Sequence, residues 1–310
     1  MRPRFVTAAV ALALAAVLSA APATADDGDR YVALGDSYAA GTGTATVVDP
    51  SLNPCLRSDS AYPNHLALAG GYADYDTYAC AGASTTIPFT DVYPFWQTAL
   101  VTADVDVVTV TLGGNDFLWF TDSPQRWTDV LQQCLYAEGV MGSPGCRNWI
   151  TDGPDMPGLS ERIMGLVSQV RMQAPDAQIY VSGYPRLFGN FPSATCTVGT
   201  AAVTVLPAPV DVLIAKQDAR WLNQQVTTVN NAIRRGVNAA REMGVDVTFV
   251  DVAPAFNGHG LCDRSDAWLN GVLGLTVTPT GVSVWPQSFH LTADGDAAYA
   301  NLFLARGFGE

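Results

Sequence analysis

The feature that most constrains the fold of this chain is the alternation of short β-rich runs with longer segments of helical periodicity. The β-rich runs span residues 31–35, 72–79, 105–112, 178–182 and 245–250. Strands that alternate with helices along a chain form a parallel sheet that helices cover on both faces. The sequence therefore predicts an α/β fold built on a central five-stranded parallel sheet.

Helical periodicity is clearest between residues 217 and 243, where apolar side chains recur every three or four positions. Residues 159–170 carry a second stripe of this kind, and residues 291–306 predict the last helix. No repeat or linker divides the chain after residue 25, so we expect a single domain over residues 26–310. In parallel sheets of this type, the chemistry lies beyond the carboxyl ends of the strands.

The first 25 residues have the features of a secretory signal peptide. Arg2 and Arg4 precede an apolar run over residues 6–20, and residues 23–25 are small, as cleavage requires. The apolar run is too short to span a bilayer and no basic stop follows it, so no stable membrane anchor is expected. We therefore predict a secreted, extracellular protein whose mature chain begins after Ala25.

Charge and cysteine content narrow the possible partners and cofactors. The chain carries 29 acidic against 16 basic residues, a net charge of −13, so its surface repels phosphate backbones and nucleic acid is excluded as a partner. Six cysteines in an exported chain indicate disulfides, and we expect sequential pairing because it closes the shortest loops. No C-x-x-C pair occurs, so no metal is expected. A monomer is expected.

Ser37 is the candidate nucleophile, because it directly follows the first predicted strand among small residues that permit a tight turn. A serine hydroxyl is a weak nucleophile and needs a base, and the chain has only three histidines. His65 lies in a segment typical of a helix start, where a structural role is expected. His290 lies immediately before the last predicted helix, within reach of Ser37, and is the expected base. His259, in a loop near a cysteine, is the alternative.

Donors for a developing oxyanion also follow predicted strands. Asn115 comes after the strand at residues 105–112 and offers a side-chain amide, while Gly82 comes after the second strand and offers a backbone N–H. The backbone N–H of Ser37 would point into the same site. Asn115 and Asp116 would equally suit a helix N-cap. A nucleophile and two donors at three strand ends together predict a site for acyl transfer.

The sequence resembles the SGNH, or GDSL, hydrolase superfamily over nearly the whole chain after residue 25. The matching motifs are Gly35-Asp36-Ser37-Tyr38, then Gly82, then Gly113-Gly114-Asn115-Asp116, and finally Ser288-Phe289-His290. Gly183-Tyr184-Pro185 and the six cysteines resemble its secreted esterase and lipase branch. No G-x-S-x-G motif occurs, so an ordinary α/β-hydrolase is not expected.

This resemblance implies a flavodoxin-like three-layer sandwich that needs neither metal nor cofactor. It implies that Ser37 is the nucleophile and His290 the general base, and that the Ser37 and Gly82 N–H groups form the oxyanion hole with the Asn115 amide. It also implies three sequential disulfides, which are Cys55–Cys80, Cys134–Cys146 and Cys196–Cys262.

Gln287 stands where the family usually has the aspartate that orients the imidazole. The resembled branch includes enzymes in which a backbone carbonyl replaces that aspartate. We therefore predict a Ser–His dyad in which the backbone carbonyl of Gln287 accepts from Nδ1 of His290. Asp294 and Asp296 follow on the predicted last helix, on the wrong side in sequence for the orienting role.

The expected substrate is a lipid or other acyl ester, and the expected enzyme is a lipase, esterase or phospholipase A. Aromatic residues at 93–96 and 117–120 follow the oxyanion residues and indicate an acyl-binding groove, although such residues also form protein cores. One alternative is a carbohydrate acetyl esterase that uses these aromatics as sugar platforms. Another is a non-catalytic binding module that retains the fold.

Overall fold

The computed structural model describes residues 28–47, 49, 51–85, 97–116, 130–131, 134–136, 158–203, 208–263, 266–278 and 281–310. The predicted signal peptide, the aromatic segments at 93–96 and 117–120, and Cys146 lie outside the described residues. No helix within the described ranges is long and apolar enough to cross a membrane.

Strands and helices alternate along the described chain. In chain order the elements are β1 (Arg30–Gly35), α1 (Ser37–Ala40), α2 (Tyr62–Gly70), β2 (Asp74–Thr77), β3 (Val107–Thr111), β4 (Leu135–Tyr136), α3 (Leu159–Gln173), β5 (Gln178–Ser182), β6 (Thr195–Val203), β7 (Val210–Ala215), α4 (Lys216–Glu242), β8 (Thr248–Val250), β9 (Val272–Thr278), β10 (Gly281–Ser283) and α5 (Ala293–Leu304). Short 3₁₀ turns lie at Thr42–Thr44, Gln97–Leu100 and Ala253–Phe256.

The central sheet confirms the predicted five parallel strands. Their order is β2-β1-β3-β5-β8, and every neighbouring pair is parallel. This is the flavodoxin-like order, in which the chain reverses direction across the sheet between β1 and β3. Because all five strands run the same way, their carboxyl ends meet at one edge, and the residues that follow them become neighbours.

Two helix pairs complete the three layers, α2 with α5 and α3 with α4. Tyr62 of α2 stacks on Phe303 of α5 at 5.1 Å between ring centroids, and its hydroxyl lies 2.7 Å from Thr111 Oγ1 of β3. A Cβ built on Gly236 of α4 would lie 2.4 Å from the Ser160 carbonyl oxygen of α3, so glycine permits the close approach of those helices. The buried apolar stripe of α4 is the one that the sequence predicts.

A second five-stranded sheet, in the order β10-β9-β6-β7-β4, is missing from the sequence prediction. It is mixed: β6 pairs parallel with β9, and its other pairs are antiparallel. Strand β6 consists largely of threonine, alanine and glycine, so it lacks the apolar alternation that marks a strand in sequence. In the central sheet, β2, β3 and β8 are shorter than predicted.

Two of the predicted disulfides are confirmed. Cys55 bonds to Cys80 and Cys196 bonds to Cys262, so both pairs are sequential neighbours within the set. The first connects the loop after α1 to the turn after β2, and the second fixes β6 to the segment that precedes β9. The pairing of Cys134 with Cys146 stays a prediction, since Cys146 lies outside the described residues.

Candidate active site

Ser37 is the first residue of α1, directly after the turn that ends β1. Gly35 has a φ of 146°, and a Cβ built on it would lie 2.3 Å from the carbonyl oxygen of Thr111, so only glycine fits there. Asp36 then caps α1, because its Oδ1 accepts a hydrogen bond from the Tyr38 N–H at 3.0 Å. The turn therefore places Ser37 at the carboxyl edge of the sheet.

His290 lies in the loop before α5 and contacts Ser37 directly. Its Nε2 is 2.7 Å from Ser37 Oγ, and its Nδ1 is 3.0 Å from the carbonyl oxygen of Ser288. Because a carbonyl oxygen only accepts, the neutral ring carries its proton on Nδ1 and offers the Nε2 lone pair to the hydroxyl. Burial lowers the pKa of His290 from 6.5 to about 4, against the opposing effect of nearby backbone carbonyls. The imidazole is therefore neutral at neutral pH.

The acceptor at Nδ1 is a backbone carbonyl, but the prediction of Gln287 as its source is wrong. The carbonyl of Ser288 lies there, whereas the carbonyl of Gln287 accepts from the backbone N–H of His290 at 3.2 Å. Phe289 accounts for the difference, because its φ of 63° turns the chain between Ser288 and His290. The side-chain amide of Gln287 donates to the carbonyl of Ala45 at 3.1 Å.

The loop that carries His290 is held largely through its backbone. The Tyr38 hydroxyl donates to the Phe289 carbonyl at 2.9 Å, and the Phe289 N–H donates to the carbonyl of Asn270 at 3.0 Å. The Ser288 hydroxyl accepts from the N–H of Leu273 at 2.9 Å. These contacts keep the left-handed Phe289 in place and fix the carbonyl that faces the imidazole.

The two aspartates that follow His290 are placed elsewhere. Asp296 is buried, and its Oδ1 accepts from the Tyr62 N–H at 3.1 Å, so this carboxyl caps α2. Its Oδ2 lies 3.5 Å from Thr44 Oγ1, and burial raises its pKa well above the usual range. Asp294 is exposed in the first turn of α5. The described contact of the imidazole Nδ1 is a carbonyl and not one of these carboxyls.

Asn115 lines the same pocket as Ser37 and His290. It follows β3 through Gly113, whose φ of 122° requires glycine, and through Gly114. The side-chain Nδ2 of Asn115 donates to the Ala83 carbonyl at 3.0 Å, which fixes the orientation of the amide. Three of the predicted site residues, on three different segments of the chain, therefore meet in one pocket.

Gly82 lies in the turn that follows β2 and has a φ of 83°. The Cys80 N–H donates to the carbonyl of Gly35 at 3.0 Å, which anchors this turn to the end of β1. Gly82 is not among the residues that line the pocket. Its neighbour Ala83 supplies the carbonyl that holds Asn115. The structure thus places Gly82 beside the site, where it is linked to Asn115 through its neighbour Ala83 and does not line the pocket itself.

A buried network beside the nucleophile is missing from the sequence prediction. The Tyr184 hydroxyl donates to Asp36 Oδ2 and accepts from the Gly114 N–H at 2.8 Å. Asn230 of α4 binds both backbone groups of Tyr184, at 2.7 Å to the N–H and 2.8 Å to the carbonyl. Burial raises the pKa of Asp36 to about 7, and the hydrogen bond from Tyr184 opposes that shift. The sequence signals for Tyr184 are its place after the fourth predicted strand and its position in the Gly183-Tyr184-Pro185 motif, and neither indicates its partners.

Asp116 joins the two loops that flank the site. Both of its carboxyl oxygens lie 3.0 Å from the Thr85 N–H, and Oδ1 lies 3.5 Å from a terminal nitrogen of Arg162. The Arg162 Nε in turn donates to Thr85 Oγ1 at 2.7 Å. Burial raises the pKa of the Asp116 carboxyl, and its hydrogen bonds to Thr85 oppose the rise. The loops after β2 and β3 are therefore joined to each other and to α3.

The pocket has an apolar lining that the sequence did not identify. Val226 and Val229 of α4 contribute to it, together with Pro185 and Leu187 after β5. The other histidines do not line this pocket: His65 lies in α2, and His259 stacks on Trp268 at 3.7 Å between ring centroids. Within the described ranges, no group of three or more histidine, cysteine, aspartate or glutamate residues could hold a metal ion.

Comparisons with known proteins agree with this architecture. Lipase 2 of Streptomyces coelicolor is 33% identical over 271 residues, which is 83% of this chain and 81% of that protein. The crystal structure of phospholipase A1 from Streptomyces albidoflavus superposes with a TM-score of 0.64 at 26% identity, over 90% of this chain and 99% of that one. The structure of an extracellular lipase from Streptomyces rimosus gives a TM-score of 0.59 at 25% identity, over 89% and 99%.

The family comparison covers most of the chain, since residues 33–298 match the model of the GDSL-like lipase/acylhydrolase family. The matched range begins within β1 and ends within α5, so it includes the candidate site and all of the central sheet except residues 30–32. This chain therefore belongs to the GDSL-like lipase/acylhydrolase family.

Proposed function

We propose that this chain is a secreted carboxylic ester hydrolase in which Ser37 is the nucleophile and His290 its general base. Family membership and the lipase relatives make it an ester hydrolase of that type. The observation that carries the residue assignment is the 2.7 Å contact between Ser37 Oγ and His290 Nε2. A nucleophile and a base within hydrogen-bond distance are the signature of covalent acyl transfer.

Acylation begins when Ser37 Oγ attacks the carbonyl carbon of the ester. Its proton moves to Nε2 of His290 as the new C–O bond forms, and the carbonyl oxygen becomes an oxyanion. We assign the stabilisation of that charge to the N–H groups of Ser37 and Gly82 and to the side-chain amide of Asn115. When the tetrahedral intermediate collapses, His290 returns the proton to the departing alcohol, which leaves the acyl group on Ser37.

Deacylation repeats these steps with water. His290 takes a proton from a water molecule, whose oxygen attacks the acyl carbonyl carbon. The proton then passes to Ser37 Oγ as the carboxylic acid leaves, and both side chains return to their starting state. The carbonyl of Ser288 holds the ring in the required tautomer throughout, which in the usual triad is the task of an aspartate.

The substrate is a lipid or another ester with an apolar acyl group. Val226, Val229 and Leu187 supply apolar surface in the same pocket as the nucleophile, and no cofactor takes part in the steps above. The relatives named above as lipases and as a phospholipase A1 support this class of substrate.

We also assign the chain to the extracellular space. Two disulfides and the relative described as an extracellular lipase support this assignment. In the mature protein, residues 26–310 form one hydrolase domain that acts as a monomer after removal of residues 1–25. We also propose that Cys134 pairs with Cys146.

A fluorophosphonate probe tests the nucleophile directly. We expect stoichiometric labelling of the folded chain at Ser37, and no labelling of Ser37→Ala. The control is Ser60→Ala, at a residue that does not line the pocket, which should label fully. Ester hydrolysis that persists unchanged in Ser37→Ala would overturn the assignment.

A chain-length series of p-nitrophenyl esters tests the acyl pocket. We expect turnover to continue well beyond butyrate, because apolar side chains line the pocket. A maximum at acetate with no turnover beyond butyrate would instead fit an acetyl esterase that acts on carbohydrates. A folded chain with no hydrolysis of any ester would fit a binding module.

A further inference from the structure

A second cavity, of about 340 Å³, lies at the same edge of the central sheet as Ser37. We call it the arginine pocket and define it by six polar lining residues, which are Arg186, Asn223, Asn231, Arg234, Asp251 and Asn257. Arg186 follows β5 and Asp251 directly follows β8, while Asn223, Asn231 and Arg234 belong to α4. Its volume is within the range of small-molecule sites.

The arginine pocket adjoins the pocket of the nucleophile. Val226 of α4 lines both cavities. Neighbouring strands of a sheet lie about 4.8 Å apart, so the ends of β5 and β8 are roughly 10 and 14 Å from the end of β1. A substrate whose ester carbonyl lies at Ser37 can therefore extend its other end along the sheet edge towards Arg186.

The asparagine acceptors among these six residues are already used within the chain, and Asp251 has one carboxylate oxygen without a donor from the described residues. Oδ1 of Asn223 accepts from the N–H groups of Leu187 and Phe188, both at 3.1 Å. Oδ1 of Asn231 accepts from Arg234 at 2.6 Å. Oδ1 of Asn257 accepts from Arg186 at 3.1 Å. Asp251 Oδ1 accepts from the Ala253 N–H at 3.3 Å. Each guanidinium carries five N–H groups, and these contacts use only one in each case. Donors therefore remain in excess.

A donor-rich lining with two guanidinium groups fits an anionic, acceptor-rich ligand. Guanidinium matches the geometry of phosphate oxygens, and such charge-assisted hydrogen bonds are stronger than neutral ones. Two arginines and one aspartate leave one formal positive charge, which complements the single negative charge of a phosphodiester. A sugar would need several free acceptors as well as donors, and among these six residues only Asp251 has a carboxylate oxygen without a described donor, so a sugar fits this lining less well.

We propose that the arginine pocket binds the phosphodiester of a glycerophospholipid on the leaving-group side of the ester. The inference rests on the proposed hydrolysis at Ser37. The acyl chain then lies along the apolar lining of the Ser37 pocket, and the glycerol carries the phosphate to Arg186 and Arg234. These arginines determine substrate preference and take no part in bond making.

Two substrates with the same acyl chains test this assignment in the full secreted protein. Dioctanoylphosphatidylcholine and dioctanoylglycerol are compared in the same detergent micelles, with the wild type, Arg186→Gln, Arg234→Gln and the double variant. We expect kcat/KM for the phospholipid to fall about tenfold in each single variant and about 100-fold in the double variant. The rate on dioctanoylglycerol should change less than about twofold, which also shows that the variants are folded.

Arg235→Gln is the matched control, because Arg235 is an exposed neighbour on α4 that does not line the pocket. It should leave both rates unchanged. Equal effects on both substrates in the double variant, or none on either, would overturn the phosphodiester subsite while ester hydrolysis stands. Failure of the wild type to hydrolyse any ester would instead overturn the proposed function.

Free phosphate and sugars are distinguished in separate experiments. Inorganic phosphate should compete with the phospholipid in the wild type and lose this effect in the double variant. If phosphate alters hydrolysis of p-nitrophenyl butyrate through the arginines while phospholipid preference is absent, the pocket binds a free anion and the headgroup assignment fails. A selective loss of activity on glucose pentaacetate in the double variant would also overturn it, in favour of a sugar site.

Discussion

The two sides of the Ser37 pocket are held in different ways. On one side, His290 is oriented by the Ser288 carbonyl, and its loop is fixed mainly through backbone groups. On the other side, the Tyr184 hydroxyl joins Asp36 to the Gly114 N–H. We refer to these as the His290 side and the Tyr184 side.

The difference determines how each side responds to substitution. A backbone carbonyl survives the replacement of any side chain, so the orientation of His290 does not depend on the chemical nature of Gln287. A phenolic hydroxyl is lost in a single substitution, and its loss leaves two buried partners without a hydrogen bond. The His290 side should therefore tolerate changes in sequence that the Tyr184 side does not.

The largest expected effect comes from the imidazole itself. In His290→Ala, no group remains to take the proton from Ser37, and kcat should fall by about 10⁴-fold or more. The matched control is His259→Ala, which removes a ring that stacks on Trp268 outside the pocket. Steady-state kinetics with p-nitrophenyl butyrate measure both. A comparable loss in both variants would show that the effect is structural, and retained activity in His290→Ala would rule out its role as base.

The pH dependence shows which side of the pocket contains the controlling ionisation. Burial disfavours the imidazolium and lowers the pKa of His290 to about 4, so the base stays neutral down to that pH. We expect the acid limb of kcat/KM to have its midpoint near pH 4, with most activity kept at pH 5. An imidazole of pKa 6.5 would be neutral in only about 3% of molecules at pH 5.

If the acid limb of kcat/KM had its midpoint near pH 7, the controlling group would be Asp36 and not His290, because burial raises the pKa of Asp36 to about 7. The Asp36→Asn variant separates the two groups, because it removes that ionisation and leaves the imidazole. The acid limb of this variant should stay near pH 4. Circular dichroism at each pH shows that the chain remains folded over the range.

Tyr184→Phe tests the Tyr184 side. The variant leaves Asp36 Oδ2 without its donor and the Gly114 N–H without its acceptor, next to Asn115, to which we assign an oxyanion role. We expect kcat to fall about tenfold and the free energy of unfolding to fall by about 2 kcal/mol. Kinetics and urea unfolding measure the two effects.

Tyr180→Phe, on the strand that precedes Tyr184, is the control, because the Tyr180 hydroxyl donates to the Gly307 carbonyl, away from the pocket. It should reduce stability without reducing kcat. If Tyr184→Phe behaves in the same way, the network stabilises the fold and does not position the site.

The contrast between the sides also explains what the sequence could predict. The strands that precede Ser37 and Asn115 are buried and β-branched or apolar, so their ends can be located, and the parallel sheet brings these ends together. Tyr184 also follows a predicted strand, but its partners lie 148 and 70 positions away. No local pattern links them, so the Tyr184 network required the three-dimensional arrangement.

The sequence could predict that a backbone carbonyl faces Nδ1 of His290, but it could not predict which residue supplies that carbonyl. Which carbonyl faces the ring depends on the left-handed φ of Phe289, a conformation that favours glycine and that the sequence does not signal here. The second sheet escaped prediction for another reason, since β6 consists largely of threonine, alanine and glycine. In both cases, tertiary contacts determine a backbone conformation that local preferences leave open.

The smallest expected effect is that of Gln287→Ala. The side chain donates one hydrogen bond to the Ala45 carbonyl, while the Ser288 carbonyl that faces the imidazole is unaffected. We expect kcat to stay within about twofold and the free energy of unfolding to fall by about 1 kcal/mol. Gln287→Asp, which places a carboxylate where the family usually has one, should also change kcat less than about twofold, since Nδ1 already has its acceptor. A loss of several orders of magnitude in Gln287→Ala with an intact fold would show that the His290 side depends on a side chain after all.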